Sequence, residues 1–194
     1  MPRPLFVQSP YLSVLFGVAC LLALREAVAR RLWRPETDTR VERGSFAVLW
    51  GATTAGTVVA FSVPFLGVGG VGAPVLAFWA GIVTMLAGFG LRVAAMLALG
   101  EQFSHEVAVK DDHAVVERGP YRWVRHPSYT GAVVTYFGIG LVTANVVSVL
   151  AALGGALVGF GHRITVEERA LRERLDEYEN YVERTPYRLL PGVW

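Results

Sequence analysis

From Tyr129 to Gly161 the chain runs for 33 residues without a charged side chain. A single helix of that length would reach roughly 50 Å at 1.5 Å per residue, well beyond the ~30 Å of hydrocarbon in an ordinary bilayer. Two short or tilted helices satisfy the length, with a break near Thr143 to Val146 and Asn145 as its polar tip. Three more apolar runs precede this one, from about Tyr11 to Trp33, Ser45 to Leu66 and Ala73 to Leu99. Each is near the ~20 residues a crossing requires. Charged residues make up only 18% of the chain against 53% hydrophobic, and they gather between the apolar runs. A protein folding in water must cover its whole surface with polar groups, whereas one in lipid needs them only where it leaves the bilayer. The pattern predicts an all-α integral membrane protein with about five transmembrane helices. Tyr11 to Leu24 reads as the first of them rather than as a secretory signal, because little positive charge precedes it and no clear small-residue cleavage site follows.

Arginines set the orientation. Arg25, Arg30, Arg31, Arg34, Arg40 and Arg43 follow the first run, Lys110, Arg118, Arg122 and Arg125 follow the third, and Arg163, Arg169, Arg172, Arg174, Arg184 and Arg188 lie in the polar tail, 162–194. The Gly67 to Gly72 loop and the Asn145 tip carry no charge. The positive-inside bias therefore puts the N-terminus outside and the C-terminus in the cytoplasm of a multi-pass protein in the cell membrane. Residues 1–100 form three membrane helices, and residues 101–194 hold the polar connection, helices 4 and 5 and the tail. A net charge of +2 suggests no nucleic-acid partner. The lone cysteine, Cys20, excludes an intrachain disulfide and a cysteine-built metal site, and no metal is expected.

Two glycine motifs carry structure rather than chemistry. Gly67-Val68-Gly69-Gly70-Val71-Gly72 has the spacing of a dinucleotide-binding turn, yet membrane-length helices flank it and the next acidic residue is Glu101. It reads as a flexible outside loop. Gly155-Ala156-Leu157-Val158-Gly159 fits a close helix–helix contact within the protein.

Chemistry concentrates between His113 and Gly131. Gly119-Pro120 makes a turn. Pro127 holds His126 extended and pre-sets the next helix, so His126, Ser128 and Tyr129 gather where that helix begins. Its free N–H groups offer partial positive charge to an anion. An interfacial anchor of Tyr, Trp and Arg would look similar. The tail adds to the site, because Arg163 and Glu168 emerge at the same boundary. Ile164, Glu168, Leu171, Leu175, Tyr178 and Val182 recur at spacings of four and three, one face of a helix, and a carboxylate on that face needs a cationic or donor partner. A plain helix-start pair, Arg163 with Glu167, accounts for the arginine alone. Arg92, inside helix 3, is a functional candidate by default, with a substrate carboxylate or Glu101 as its partner, unless it snorkels.

These residues resemble the isoprenylcysteine carboxyl methyltransferases and their bacterial relatives. Gly119-Pro120-Tyr121-Arg122 followed by Arg125-His126-Pro127-Ser128-Tyr129-Thr130-Gly131 is similar to that family's core motif. Arg163 with Glu167-Glu168, then Tyr178, Tyr181 and Arg184-Thr185-Pro186 to Leu190-Pro191-Gly192, is similar to its C-terminal motif. The resemblance covers about residues 88–194. It implies an S-adenosyl-L-methionine site at the cytoplasmic face, formed by the cytoplasmic loop and closed by a C-terminal amphipathic helix. It implies cofactor contacts from His113, Ala114, Val115, Val116, Tyr121, His126, Pro127, Ser128, Tyr129 and Glu168. Arg163 would face a lipophilic or lipidated acceptor drawn from the lipid bilayer, with Arg92 a further substrate candidate and Arg163 and Glu168 the catalytic pair.

Such a reaction asks little of the protein. A carboxylate acceptor with a pKa near ~4 is ionised at neutral pH and needs no general base, and a sulfonium methyl donor needs no metal. An amine acceptor, as in the related phospholipid N-methyltransferases, would need His126 or Glu168 as base. An NADPH-dependent membrane lipid reductase would bind a dinucleotide instead. A membrane scaffold or small transporter would place polar residues along a path, whereas here they collect at one face.

Overall fold

The computed structural model describes residues 3–32, 40–100, 116–175 and 177–194. Six α-helices occur among them: α1 Tyr11–Leu32, α2 Arg40–Ser62, α3 Pro74–Leu99, α4 Pro127–Leu141, α5 Val146–Arg174 and α6 Tyr178–Arg184. Pro74 and Pro127 sit in the first turns of α3 and α4, where a missing N–H costs nothing and the ring fixes a helical φ. Asn145 caps α5 by accepting from the Ser148 N–H at 3.1 Å.

Four helical stretches are long and apolar enough to cross a membrane: Tyr11–Val28, Gly44–Leu66, Pro74–Leu99 and Val146–Glu173. The fifth expected crossing is shorter. α4 has 15 residues, which is about 22 Å of rise. It turns back at Leu141 and α5 begins at Val146, so the charge-free run is divided at the expected break. α5 then continues for 29 residues without interruption. The tail helix expected beyond Gly161 is therefore divided between the last turns of α5 and the short α6, and the break falls at Leu175, whose backbone is extended. The reason is that charge ends a membrane-buried run but does not end a helix. Residues 162–174 contain no proline or glycine to stop it.

The loop and turn at the end remote from the charges are clipped together. Asn145 Nδ2 donates to the Val68 carbonyl, Val71 N–H to Ala144 O at 3.0 Å and Val146 N–H to Gly69 O at 2.9 Å. The Gly67–Gly72 segment is thus pinned rather than a free loop. Gly69 has φ +74°, and a Cβ there would meet Val147 Cγ2 at 2.9 Å. This glycine serves a turn and a close approach, not a phosphate.

Small residues let the helices touch backbone to backbone. α3 lies on α4 and α2 on α5. A Cβ on Gly88 would stand 2.5 Å from Gly131 O and 2.6 Å from Thr135 Oγ1, and one on Gly155 would stand 2.5 Å from Ala52 O. Gly159 lies against Leu49, so the glycine pair on α5 works within the protein. Ser148 Oγ donates to Ala60 O at 2.6 Å across α2 and α5. Phe6, Phe78, Ile82, Met85 and Val142 form one apolar core cluster and Ala132, Ala156 and Phe160 another, while Phe16, Leu24, Leu76, Val83 and Leu150 point outward where lipid would lie. Gly88→Ala should lower the thermal midpoint in detergent, in line with the ~1–3 kcal/mol of an overpacked site. Gly90→Ala, where a Cβ meets nothing within 4 Å, should leave it unchanged or slightly raised. Scanning fluorimetry on the two variants checks the contrast.

Candidate functional site

At the other end of the bundle the start of α4, the last turns of α5, α6 and the C-terminal segment converge on one buried carboxylate. Glu168 is 3% exposed. Its Oε1 accepts from Arg125 Nε at 2.9 Å and faces His126 Nε2 at 3.3 Å. Its Oε2 accepts from Arg188 Nε at 3.0 Å and Nη2 at 2.8 Å. A carboxylate only accepts, so the His126 ring nitrogen that faces it carries the proton. The odd carboxylate on an apolar helix face therefore has its cationic and donor partners; the two cations, Arg125 and Arg188, were given no role from the sequence. Arg188 lies 20 positions away, and no helical periodicity links it to Glu168.

The same contacts fasten the C-terminal segment over the start of α4. Arg125 N–H donates to Tyr187 O at 2.9 Å and His126 N–H to Arg188 O at 3.0 Å. Arg125 Nη1 reaches Thr185 O at 2.8 Å, and Thr130 Oγ1 reaches Leu189 O at 2.8 Å. Arg188 stacks under the Trp194 ring at 5.5 Å. Pro127 is buried at the first turn of α4. Tyr121 is buried in the 3-10 turn Gly119–Arg122, and its carbonyl accepts from the Tyr181 hydroxyl at 2.8 Å. Burial pushes the phenols of Tyr121, Tyr178 and Tyr181 up, so all three stay neutral donors. Tyr178 is 3% exposed, and among the described residues its hydroxyl has no hydrogen-bond partner.

A second cluster lies around α5. Arg163 and Glu168 are five positions apart, about 140° around the helix, so they face different neighbours. Arg163 is 2% exposed and donates to Ser45 Oγ on α2 at 2.7 Å, with the Phe46 ring 5.8 Å away. Glu167, one turn beyond, accepts from the Tyr129 hydroxyl at 2.6 Å. Tyr129 bridges the two clusters, since its ring stacks on His126 at 5.6 Å and 5°. Ser45, reached from a distance of 118 residues, carried no signal in the sequence.

Arg92 on α3 donates through Nη1 to Ser128 O at 3.3 Å and Ser128 Oγ at 3.2 Å. It also lies 3.6 Å from Glu26 on α1. Its partners are thus Ser128 and Glu26; Glu101, the alternative, lies outside the described residues, as do His113, Ala114 and Val115. Val116 is half-buried at the entrance to the 3-10 turn. Among the described residues no three His, Cys, Asp or Glu side chains gather as a metal ion would need.

Comparison with known proteins gives this arrangement a context. The family described as "Isoprenylcysteine carboxyl methyltransferase (ICMT) family" matches residues 80–173. Protein-S-isoprenylcysteine O-methyltransferase of Schizosaccharomyces pombe is 40% identical over 99 residues, covering 50% of this chain and 42% of that protein. The Saccharomyces cerevisiae protein of the same name is 36% identical over 108 residues, covering 53% and 45%. A probable protein-S-isoprenylcysteine O-methyltransferase of Oryza sativa subsp. indica is 30% identical over 109 residues, covering 55% and 57%. The chain thus spans about half the length of these curated relatives. A solved structure of the eukaryotic intramembrane Ras methyltransferase ICMT shares the fold, with a TM-score of 0.67 and 22% identity, over 96% of this chain and 69% of that one. Residues 80–173, which hold Arg92, the start of α4 and the Arg163 to Glu168 stretch of α5, thus match the isoprenylcysteine carboxyl methyltransferase family.

Proposed function

We propose that the protein transfers a methyl group from S-adenosyl-L-methionine to the carboxylate of a lipophilic, isoprenylcysteine-like acceptor at the cytoplasmic membrane face. The observation that carries this reading is the coincidence of the family match with the converging polar residues at one end of the bundle. In it, residues 1–100 supply mainly membrane scaffold and residues 101–194 the cofactor-binding region, with the N-terminus outside and the C-terminus cytoplasmic.

The residues present fit the cofactor. The Tyr178 hydroxyl, buried and without a hydrogen-bond partner among the described residues, is a donor left for a ligand atom. The stacked His126 and Tyr129 rings offer flat apolar faces at the same place. When bound, the cofactor supplies an electrophilic methyl group on a sulfonium. Tyr121, His126, Pro127, Ser128, Tyr129 and Val116 form its cradle, and the family resemblance adds His113, Ala114 and Val115 as cofactor contacts. Glu168 contributes by fixing His126 and the Arg188 segment in place, since both of its oxygens already accept hydrogen bonds. Arg163 orients the acceptor carboxylate, its guanidinium being a fork suited to two oxygens. Arg92, bonded to Ser128, stands at the lip of the cradle. Catalysis then rests on holding the reactants in line and excluding water, with no proton to remove from an ionised acid.

Calorimetry of S-adenosylhomocysteine with the detergent-purified protein tests the cofactor. Wild type should bind in the micromolar range. Glu168→Ala should weaken binding by about tenfold or more, as expected when buried donors lose their acceptor at ~1–3 kcal/mol, and Arg188→Ala should weaken it in the same direction. Absence of binding by well-folded wild type would contradict the reading and turn the test to NADPH. For the acceptor side, Arg163→Ala should abolish transfer to an isoprenylcysteine while weakening S-adenosylhomocysteine binding less than Glu168→Ala does, because Ser45, Phe46 and Tyr129 face Arg163, whereas Arg125, His126 and Arg188 meet the Glu168 carboxylate.

A further inference from the structure

Residues 189–194 carry no charged side chain, and three of them stand open: Leu190 is 53% exposed, Val193 77% and Trp194 40%. Contacts fix the depth of this segment along the bundle. Thr130 Oγ1 donates to Leu189 O at 2.8 Å, and a Cβ on Gly161 would stand 3.7 Å from Trp194 Cη2. Thr130 and Gly161 both belong to the charge-free run 129–161. One turn earlier on the same face of α5, Leu157 and Val158 are exposed within a helix of spanning length. The segment therefore continues the lipid-facing surface, at the level where that surface gives way to charge.

Its backbone suits that place. Lipid offers no water to a bare N–H, so a loop at this depth must pair its own. Val193 N–H donates to Leu190 O at 3.1 Å and Trp194 N–H to the same oxygen at 3.2 Å. Leu189 and Leu190 N–H donate to Trp194 O at 2.8 and 3.1 Å, and Pro191 has no N–H to satisfy. Pro191 and Gly192 make the corner, with Gly192 at φ +79° as such a turn requires. The nearest charge in sequence, Arg188, turns inward, gripping Glu168 and lying over the Trp194 ring. An indole at the edge of the hydrocarbon with no outward charge beside it has the chemistry of a membrane interface.

We propose that residues 189–194 form an interfacial wedge, seated in the lipid leaflet at the site end of the bundle with Leu190, Val193 and Trp194 just below the headgroups. Lipid is the occupant because the surface that the segment continues is the one lipid already covers. By holding the wedge, the leaflet keeps the adjoining Arg188 on Glu168 and the Tyr187 and Arg188 carbonyls on the N–H groups of Arg125 and His126. Under the methyl-transfer reading, on which this last clause rests, that hold ties the cofactor cradle to the bilayer.

The test is the depth of a nitroxide at position 193, carried by Cys20→Ser, Val193→Cys protein in phosphatidylcholine vesicles. Power saturation of its paramagnetic resonance is compared for oxygen, which enters lipid, and a nickel chelate, which stays in water. Labels on Val158→Cys and Glu179→Cys, both open positions, set the lipid and water limits. The label at 193 should match that at 158 within about twofold for oxygen and be several-fold less accessible to nickel than that at 179. Nickel access equal to that at 179 would put the segment in water and overturn the proposal. Low access to both reagents would show it covered by protein, such as a second copy, and overturn it equally. The hold on Arg188 is read in nanodiscs by hydrogen exchange at the Arg125 and His126 N–H groups. Val193→Asp, which sets a charge against lipid, should speed that exchange several-fold, whereas Val193→Ala should leave it within about twofold. Equal exchange in Val193→Asp and wild type would overturn the hold. Neither measurement uses the cofactor, so failure of both would leave the methyl-transfer reading standing, and absence of S-adenosylhomocysteine binding would leave the wedge standing.

Discussion

The carboxylate of Glu168 lies inside the protein near the end of a long helix, and the site end of the bundle is organised by the way its charge is met. Arg125 and His126 approach one oxygen from the segment before α4, and Arg188 approaches the other from the C-terminal segment. Each of these groups is poorly placed without the others. Removing one member of a buried charge network costs ~3–5 kcal/mol because the rest stay desolvated. The network therefore fixes three stretches of chain that are distant in sequence, and with them the stacked His126 and Tyr129 rings. It also explains why the last residues fold back. Trp194 covers Arg188, and the Trp194 carbonyl accepts from the Leu189 N–H at 2.8 Å.

Helix packing determines where that network can form. α5 carries Ser148 and Asn145 at one end and Glu168 at the other, so the position of the carboxylate is set by how α5 lies on α2. Gly56 and Gly155 allow those two backbones to touch. Gly88 and Gly131 do the same for α3 and α4 and so bring Arg92 to Ser128. In lipid, apolar burial offers little drive for helix association, and close contact of small residues supplies much of the specificity. The glycine pairs remote from the site thus hold Arg92, Ser128 and Glu168 in register. The four helices of spanning length make this a membrane protein whose polar chemistry gathers at a single end.

Much of this was legible in the amino-acid sequence because bilayer rules are strict. The charge-free run from Tyr129 to Gly161 demanded a break, and Asn145 occupies it as a cap. His126, Tyr129 and Glu168 could be gathered from the proline that starts α4 and from one misfit carboxylate on an apolar stripe. Other parts carried no local signal. The length of α5 was hidden because its polar end looked like a separate tail, although nothing there breaks a helix. Arg188, Ser45 and Glu26 meet their partners only through tertiary packing, and their neighbours in sequence are ordinary boundary residues. Arg163 and Glu168 look like one pair in sequence, yet the helical angle between them gives each its own surroundings.

The bond formed to the methyl group reports the chemistry of the acceptor. Purified protein in nanodiscs would be incubated with tritium-methyl S-adenosylmethionine and N-acetyl-S-farnesylcysteine, and the product then exposed to base. A carboxyl methyl ester releases its label as volatile methanol, whereas an N-methyl amine retains it. Carboxyl methyl transfer should give base-volatile label that depends on the acceptor's free carboxylate and disappears with its carboxamide. Base-stable label, or no transfer by protein that binds S-adenosylhomocysteine, would contradict it.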